Sequence, residues 1–454
     1  MSTTETLADA GPRQSAFGAV VAAFDTAVRR WLPDPFVIVL ILTVVVFACG
    51  VAFTDRGPVG MVDAWGEGFW NLLQFAMQMM LVLVTGYVLA STPPFQKGMG
   101  ALASLASTPG QAIVMVTLVA LVASWINWGF GLVIGALFAR QLGRAVPSCD
   151  YRLLIASAYS GFIVWHGGIS GSVPLTAATE GNFLADRIGL IPTSETIFAP
   201  FNLIIVAAVA IVLPVMNRLM LSHGAESVRA GDVDLGQEAA AEEAPATTPA
   251  EKLERSRVLG VAVALLGLAY VVYYFWQNGF ELDLNIVNFT FLFLGLLLFM
   301  SPKRFLDTVF EAVKGAGGIL IQFPFYAGIM GMMIGSGMAE SVSNWFVSFA
   351  SQTTLPAITF LAAGFVNVLV PSGGGQWAVQ GPVMMPAAEA LGADQARVAM
   401  AVAWGDAWTN LIQPFWALPA LAIAGLSARD IMGFCLMLLV ATGVVIALGL
   451  TFLP

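Results

Sequence analysis

The amino-acid sequence predicts an all-α polytopic membrane protein that contains an inverted repeat. The chain of 454 residues is 58% hydrophobic and only 10% charged, whereas soluble domains carry about 25% charged residues. Its long apolar runs predict about nine full membrane spans. Polar, glycine-rich breaks interrupt these runs twice in each half of the chain, at matching positions. These breaks predict two re-entrant hairpins and two broken transmembrane helices, because unpaired backbone is tolerated at membrane depth only where it lines a protein cavity.

The full spans follow from the length of each apolar run. A helix needs about 20 mostly apolar residues to cross a bilayer. We place the spans at residues 36–54, 69–92, 151–178, 197–217, 258–277, 285–300, 317–338, 397–425 and 430–452.

Two other apolar stretches do not fit single crossings. Residues 110–142 are too long for one crossing, and Asn127 lies at their middle. Each arm of about 15 residues would reach about 22 Å, which is less than the roughly 30 Å hydrocarbon core. Residues 355–391 have the same pattern with a tip at 371–376. Both stretches therefore predict re-entrant hairpins.

A third feature supports the repeat. A Gln-Phe pair, Gln74-Phe75 in one half and Gln322-Phe323 in the other, precedes each hairpin in similar apolar strings. One short match would be unremarkable in a membrane protein, but three features in the same order favour a repeat. The predicted parts are a tail (1–30), a first membrane repeat (31–218), a cytoplasmic linker (219–257), a linking transmembrane helix (258–284) and a second, inverted repeat (285–454).

The distribution of charge predicts the orientation. With the N-terminus inside, only Arg56, Arg187 and Arg397 fall on the outer side of the membrane. The other Lys and Arg residues fall on the cytoplasmic side. This is the positive-inside pattern. The first hairpin then opens inward and the second opens outward. We expect a multi-pass protein of the cytoplasmic (inner) membrane, surrounded by the lipid bilayer.

The breaks supply neutral polar groups and helix N-termini. Helix N-termini attract anions, free carbonyls can hold a cation such as Na⁺, and glycine permits close approach of a ligand. Close helix packing is the alternative explanation for any single glycine. The predicted substrate-binding residues are Asn127, Trp128, Gly129, Gly168, Ser170, Gly171, Ser172, Asn367, Ser372, Gly373, Gly374, Gly375, Gln376, Thr409, Asn410 and Gln413.

Asp406 is the carboxylate that we place nearest the membrane interior, where ionisable groups are costly and usually functional. With Asn127 and Asn367 it forms the predicted ion-coupling set, which takes up H⁺ or Na⁺. The alternative is that Asp406 caps a helix near the outer surface. His166 either relays protons or fills space as a hydrogen-bonded side chain. Gln78 either lines the pathway or bonds between helices.

Several classes of function are disfavoured. The net charge of −9 argues against nucleic acid as a partner. The two histidines form no HExxH motif, and no Gly-Lys-Ser/Thr phosphate loop occurs, so we expect neither a zinc-protease site nor ATP-driven transport within the chain. The three scattered cysteines predict no disulfide framework. We expect no bound metal and no cofactor.

At these residues the chain resembles the bacterial short-chain fatty acid transporter family of the AtoE type. The resemblance runs from residue 30 to the C-terminus and is carried by the strings at 30–35, 65–73, 126–133, 371–375 and 413–426. It implies uptake of butyrate or acetoacetate-like monocarboxylates, and kinship with elevator-type ion transporters, which are often dimers. The family's glycine-rich stretch has no histidine where this chain has His166, and its acid at position 406 can be glutamate.

The resulting hypothesis is a secondary carrier of small monocarboxylates, coupled to H⁺ or Na⁺ and not an enzyme. A C4-dicarboxylate carrier is the nearest alternative, although no basic residue lies near the breaks to balance a second charge. An intramembrane enzyme would need a nucleophile and base or a metal cluster at depth. A channel would conduct without saturation or coupling to a gradient.

Overall fold

Helices account for nearly all the regular structure of the protein, for which a computed structural model describes residues 35–221, 228–233, 246–314, 316–369 and 373–454. The predicted tail 1–30, the linker segments 222–227 and 234–245, and the predicted site residue Ser372 lie outside the described residues. Six helical stretches in the described part are long and apolar enough to cross a membrane, and shorter apolar helices accompany them.

The continuous crossings match the predicted spans to within a few residues at most ends. They are Pro35–Phe53, Leu73–Ala90, Pro200–Met220, Arg257–Asn278, Leu284–Phe299, Gly317–Gly335 and Ala428–Phe452. We call Leu73–Ala90 and Gly317–Gly335 the first and second Gln-Phe helices, because each contains one of the matched pairs.

Two crossings are broken, as predicted. The first broken helix consists of Tyr151–Ser160, a 3-10 turn at Gly161–Gly167 and Ser172–Ala178. The second consists of Gln395–Asn410 and Pro414–Ala424. In each case one polar side chain lies in the gap between the helical parts, Ser170 in the first and Gln413 in the second.

Both hairpins are present, with longer arms than the sequence predicted. The first hairpin is Pro109–Ile126 and Trp128–Ala145, and the second is Leu355–Leu369 and Gly373–Leu391. The arms contain 18, 18, 15 and 19 residues, so the argument from short arms was wrong for three of them. The reversal at Asn127 makes the first hairpin: Gly131 lies against Ser124 and Gly135 against Ala120, a register that only antiparallel arms can have.

The sequence prediction missed four shorter helices in matching places. Gly57–Gly68 and Pro302–Lys314 precede the two Gln-Phe helices, and Pro93–Ala103 and Met338–Phe349 follow them. They escaped notice because their polar faces interrupt the apolar runs on which the span prediction relied. With them, each half has the same order of elements.

The two halves exchange packing partners. Phe36 of the first transmembrane helix packs edge-on against Phe325 of the second Gln-Phe helix, with ring centroids 5.4 Å apart. Correspondingly, Gln78 of the first Gln-Phe helix donates a hydrogen bond to Asn285 of helix Leu284–Phe299 at 2.8 Å. Such reciprocal contacts are what a pseudo-two-fold axis between repeats produces. Gln78 therefore bonds between helices, the second of the two roles considered for it.

Loop contacts agree with the predicted relative sidedness. The backbone N–H of Tyr151 donates to the carbonyl of Val228 at 2.8 Å, which joins two segments predicted to be cytoplasmic. The N–H of Leu284 donates to the hydroxyl of Thr179 at 3.3 Å, which joins two predicted outer ends. The extra helix Arg257–Asn278 carries the chain across between the halves and so inverts the second half.

Candidate functional site

The tip of the first hairpin is built on Asn127. This residue ends one arm and caps the next: its Oδ1 accepts a hydrogen bond from the N–H of Phe130 at 2.9 Å. Its side chain is completely buried and lies against Gly86 of the first Gln-Phe helix, where any Cβ would collide with Oδ1. An asparagine at this point satisfies helix donors that water cannot reach.

The gap in the first broken helix closes over this tip. The hydroxyl of Ser170 accepts a hydrogen bond from the N–H of Trp128 at 2.9 Å, and the N–H of Ile169 donates to the carbonyl of Trp125 at 2.7 Å. Gly168 is required here because a Cβ would lie 2.2 Å from the carbonyl oxygen of Trp125. The N–H groups of Trp128 and Phe130 at the tip thus already have protein acceptors.

The tip of the second hairpin carries a denser polar network. The Nδ2 of Asn367 lies 2.9 Å from the carbonyl oxygen of Asp406, 2.9 Å from Thr409 Oγ1 and 2.8 Å from Asn410 Oδ1. Gln413 donates to the carbonyl of Asn367 at 3.0 Å. Asn367 therefore binds the second hairpin to the gap in the second broken helix. Its own Oδ1 has no hydrogen-bond partner among the described residues.

The second arm of this hairpin begins with three buried glycines, Gly373, Gly374 and Gly375. A Cβ on Gly374 would lie 2.6 Å from Cζ of Phe75. Gln376 is buried and donates to the carbonyl of Ala363 at 2.8 Å and to Gln380 at 2.7 Å. At position 374, only glycine lets the backbone approach the ring of Phe75 so closely.

The two broken helices meet at a buried contact between His166 and Asp406 that the sequence did not predict. Nδ1 of His166 lies 3.4 Å from Oδ1 of Asp406, and both side chains are 0% exposed. Asp406 is therefore an interior carboxylate, as expected, rather than a surface cap. Adjacent to it, Asn410 donates to Asp406 Oδ1 at 3.1 Å.

Trp165 lies between the two hairpin tips. Its ring centroid is 5.9 Å from that of Trp128 at the first tip, and a Cβ on Gly373 at the second tip would lie 2.8 Å from its Cη2. It also stacks on His166 at 3.7 Å, while Phe162 and Trp416 extend the cluster. An apolar wall thus joins the two polar networks.

The structure brings most of the predicted site residues into two linked clusters. One contains Asn127, Trp128, Gly129, Gly168, Ser170, Gly171 and Ser172, and the other contains Asn367, Gly373, Gly374, Gly375, Gln376, Asp406, Thr409, Asn410 and Gln413. Asn127 and Asn367 lie in different clusters.

Sequence reasoning missed three contributors. Trp165 adjoins His166 in the chain, and Trp416 lies in one of the resemblance strings, so proximity to a break could have identified both. Tyr326 is buried and interacts electrostatically with Asp406, but no local pattern marks it. Trp408, beside the second break, packs against the last helix, since its Nε1 donates to the carbonyl of Leu439 at 2.7 Å.

Comparisons with known sequences identify the family. A family model described as short chain fatty acid transporter matches residues 16–453. A protein of Escherichia coli K12, provisionally described as a short-chain fatty acid transporter, is 47% identical over 429 residues, covering 93% of this chain and 97% of that protein. A Haemophilus influenzae protein of the same description is 44% identical over 445 residues, covering 94% and 98%.

Comparisons with solved structures support the fold. The Alcanivorax borkumensis YdaH transporter superposes with a TM-score of 0.62 at 15% identity, over 93% of this chain and 97% of that one. Neisseria gonorrhoeae MtrF, described with a class of antimetabolite efflux pumps, gives 0.53 at 14% identity, over 94% and 97%. The sequence relationships place this chain in the short-chain fatty acid transporter family.

Proposed function

We propose that the protein is a secondary active carrier that moves short-chain monocarboxylates, such as butyrate or acetoacetate, with a coupling cation, H⁺ or Na⁺. The observation that carries the proposal is the site itself. Two hairpin tips and two broken helices enclose neutral amides, a buried carboxylate and an aromatic wall. Neutral donors can bind a single carboxylate and still release it, while an apolar wall suits a short alkyl tail.

Alternating access is the second part of the proposal. Each tip is bonded to the broken helix of its own half, through Ser170 in the first and Asn367 in the second. The hairpins and broken helices can therefore move as one body, in the manner of an elevator, and expose the site to each side in turn. The two repeats, 31–218 and 285–454, with the linker 219–257 and the helix 258–284 between them, are the units of this mechanism.

Location and assembly follow from the same argument. A symporter of this kind lies in the cytoplasmic membrane with its N-terminus inside, as the charge distribution predicts. A homodimer would give the moving body a fixed scaffold. The substrate-binding set is the group of tip and break residues named above, with Asp406, Asn127 and Asn367 for ion coupling.

Uptake into proteoliposomes tests the function. Radiolabelled butyrate is supplied with an imposed Na⁺ gradient and, separately, with an imposed pH gradient. Butyric acid crosses lipid unaided, so protein-free liposomes run alongside. We expect saturable, protein-dependent uptake that one gradient increases. Uptake no faster than in protein-free liposomes would reject short-chain fatty acids as the substrate.

The same assay separates the alternatives. A C4-dicarboxylate carrier would take up labelled succinate faster than butyrate. Unlabelled succinate would compete with that labelled substrate and lower its uptake. A channel would show flux that rises linearly with concentration and does not accumulate substrate against a gradient.

A further inference from the structure

Two buried polar atoms at the meeting point of the broken helices lack partners. His166 Nδ1 and Asp406 Oδ2 make no hydrogen bond to any described residue, although Nδ1 lies 3.4 Å from the other oxygen of Asp406. Most buried polar atoms in proteins are hydrogen-bonded, and the exceptions often mark a functional role or a bound group. Two such atoms on adjacent side chains define a place for a ligand.

Neighbouring hydrogen bonds determine what these atoms offer. The N–H of Val173 donates to Nε2 of His166 at 3.3 Å. Because that nitrogen accepts, a neutral imidazole carries its proton on Nδ1 and offers a donor there. Asn410 donates to Oδ1 of Asp406, which leaves Oδ2 as an open acceptor. The site thus presents one donor and one acceptor side by side.

A carboxyl group that carries a proton has the matching pattern. Its C=O accepts one hydrogen bond and its O–H donates another. A carboxylate without the proton would place a second negative charge beside Asp406 in a low-dielectric site. Two carboxyl groups that lie side by side in such a site share one proton. Among the described residues, no Lys or Arg contacts Asp406 to neutralise it.

The other titratable groups nearby are neutral at physiological pH. Tyr326 of the second Gln-Phe helix interacts electrostatically with Asp406. Tyr159 of the first broken helix donates to the carbonyl of Asn410 and lies near Cys435 of the last helix. Phenols and thiols are ordinarily protonated at pH 7. Any charge at this site therefore lies on the His166–Asp406 pair.

The second hairpin covers this pair. A Cβ on Gly373 would lie 2.5 Å from Cε1 of His166, so the backbone of the tip rests directly on the imidazole. A ligand between His166 and Asp406 requires the tip to move away. Closure of the tip then depends on what the pair has bound.

We propose that His166 and Asp406 form the binding site for the substrate's carboxyl group, and that the coupling ion is a proton held between that group and Asp406 Oδ2. The proposal rests on the proposed function and names its ion. A carboxylate and a proton enter from one side, the proton bridges the two carboxyl groups, and His166 Nδ1–H donates to the substrate. Both leave together on the other side, so Asp406 returns to its ionised form and one proton moves with each substrate.

Calorimetry of the purified protein in detergent tests this without interference from membrane permeation. Butyrate is titrated at pH 7.5 into protein in two buffers with different enthalpies of ionisation, and the difference in heat gives the protons taken up per butyrate. We expect about one proton for the wild-type protein and about none for Asp406→Asn, whose amide donates to the carboxylate without a proton.

Two further variants guard against loss of folding. Asp406→Glu keeps an acid and is expected to keep an uptake of about one proton, with altered affinity. His166→Asn keeps an amide donor near the position of Nδ1 and is expected to bind at least about tenfold more tightly than His166→Ala. Size-exclusion profiles identify the variants that remain folded.

The outcomes separate the two proposals. Saturable butyrate binding by the wild-type protein with no proton uptake, or with a requirement for Na⁺, overturns the proton site and leaves the carrier function intact. Equal proton uptake by the wild-type protein and by Asp406→Asn, or loss of proton uptake by a folded Asp406→Glu that still binds butyrate, overturns it as well. Failure of the wild-type protein to bind any monocarboxylate overturns the proposed function itself.

Discussion

The rings of Phe75 and Phe323, the two phenylalanines of the matched Gln-Phe pairs, lie with their centroids 5.6 Å apart. Residues that correspond in two repeats can touch only where the axis that relates the repeats passes between them. The tip of the second hairpin rests on this pair through Gly374. The axis of the fold therefore runs beside the candidate site.

Gly374→Ala should impair transport without unfolding the protein. The added Cβ would lie 2.6 Å from Cζ of Phe75, and overpacking of this kind costs about 1–3 kcal/mol. We expect butyrate uptake to fall at least about tenfold, because the tip of the second hairpin can no longer pack closely against Phe75. Gly98→Ala is the matched control, since no atom of the described residues lies within 4 Å of a Cβ there. Equal uptake by the two variants would show that the close approach of Gly374 has no role.

Ser170→Ala should lower thermal stability. The change leaves the N–H of Trp128 without its acceptor, and an unsatisfied buried donor costs about 1–3 kcal/mol. Melting temperature in detergent measures the effect. Ser157→Ala is the control, because that hydroxyl is equally buried and has no hydrogen-bond partner among the described residues. An equally large loss of stability in Ser157→Ala would contradict the assignment of Ser170 as the acceptor for the N–H of Trp128.

Cys149 should resist alkylation in the folded protein. Burial raises the pKa of this thiol, which lies in the loop before the first broken helix, to about 12. At pH 7.5 its thiolate fraction is then below about one in ten thousand. With Cys49→Ala and Cys435→Ala in place, maleimide should label Cys149 slowly in the native protein and fully after denaturation. Fast labelling of the native protein would contradict the burial of this loop.

The raised pKa of Cys149 also predicts how the stability of the folded protein depends on pH. Below pH 9.0, the ordinary pKa of the thiol, the folded and unfolded chains both keep the proton and Cys149 contributes no pH dependence. Above it, the unfolded chain loses the proton first, so stability falls as pH rises towards the folded pKa. Replacing Cys149 by Ala should flatten the melting temperature between about pH 9 and pH 11. An unchanged slope would show that other groups dominate.

The sequence was sufficient for the spans, both hairpins and both broken helices, because apolar length and glycine-rich polar breaks are local signals. It was insufficient for the four short helices, whose polar faces hide them, and for the arm lengths, since helices continue past the apolar run. Asn127 and Asn367 could be recognised because each interrupts an apolar segment. The sequence could not show that they belong to separate clusters.

The pairing of His166 with Asp406 could not be predicted from the sequence. The two residues lie 240 residues apart in the chain (406 − 166) and in different repeats, and a lone histidine at a helix break carries no signal of its partner. The fold brings them together only because the 3-10 turn of the first broken helix packs against the second broken helix. Tyr326 was missed for the same reason, since its role depends on tertiary contacts.

The central claim is that the two hairpin tips form the substrate site, and uptake by two asparagine variants tests it most directly. Radiolabelled butyrate uptake into proteoliposomes is measured for Asn127→Ala and Asn367→Ala, with protein-free liposomes subtracted. Asn278→Ala, at an exposed helix end, is the control. The account predicts that each tip variant loses at least about tenfold in uptake while the control equals the wild-type protein. Wild-type uptake by both tip variants would contradict the site.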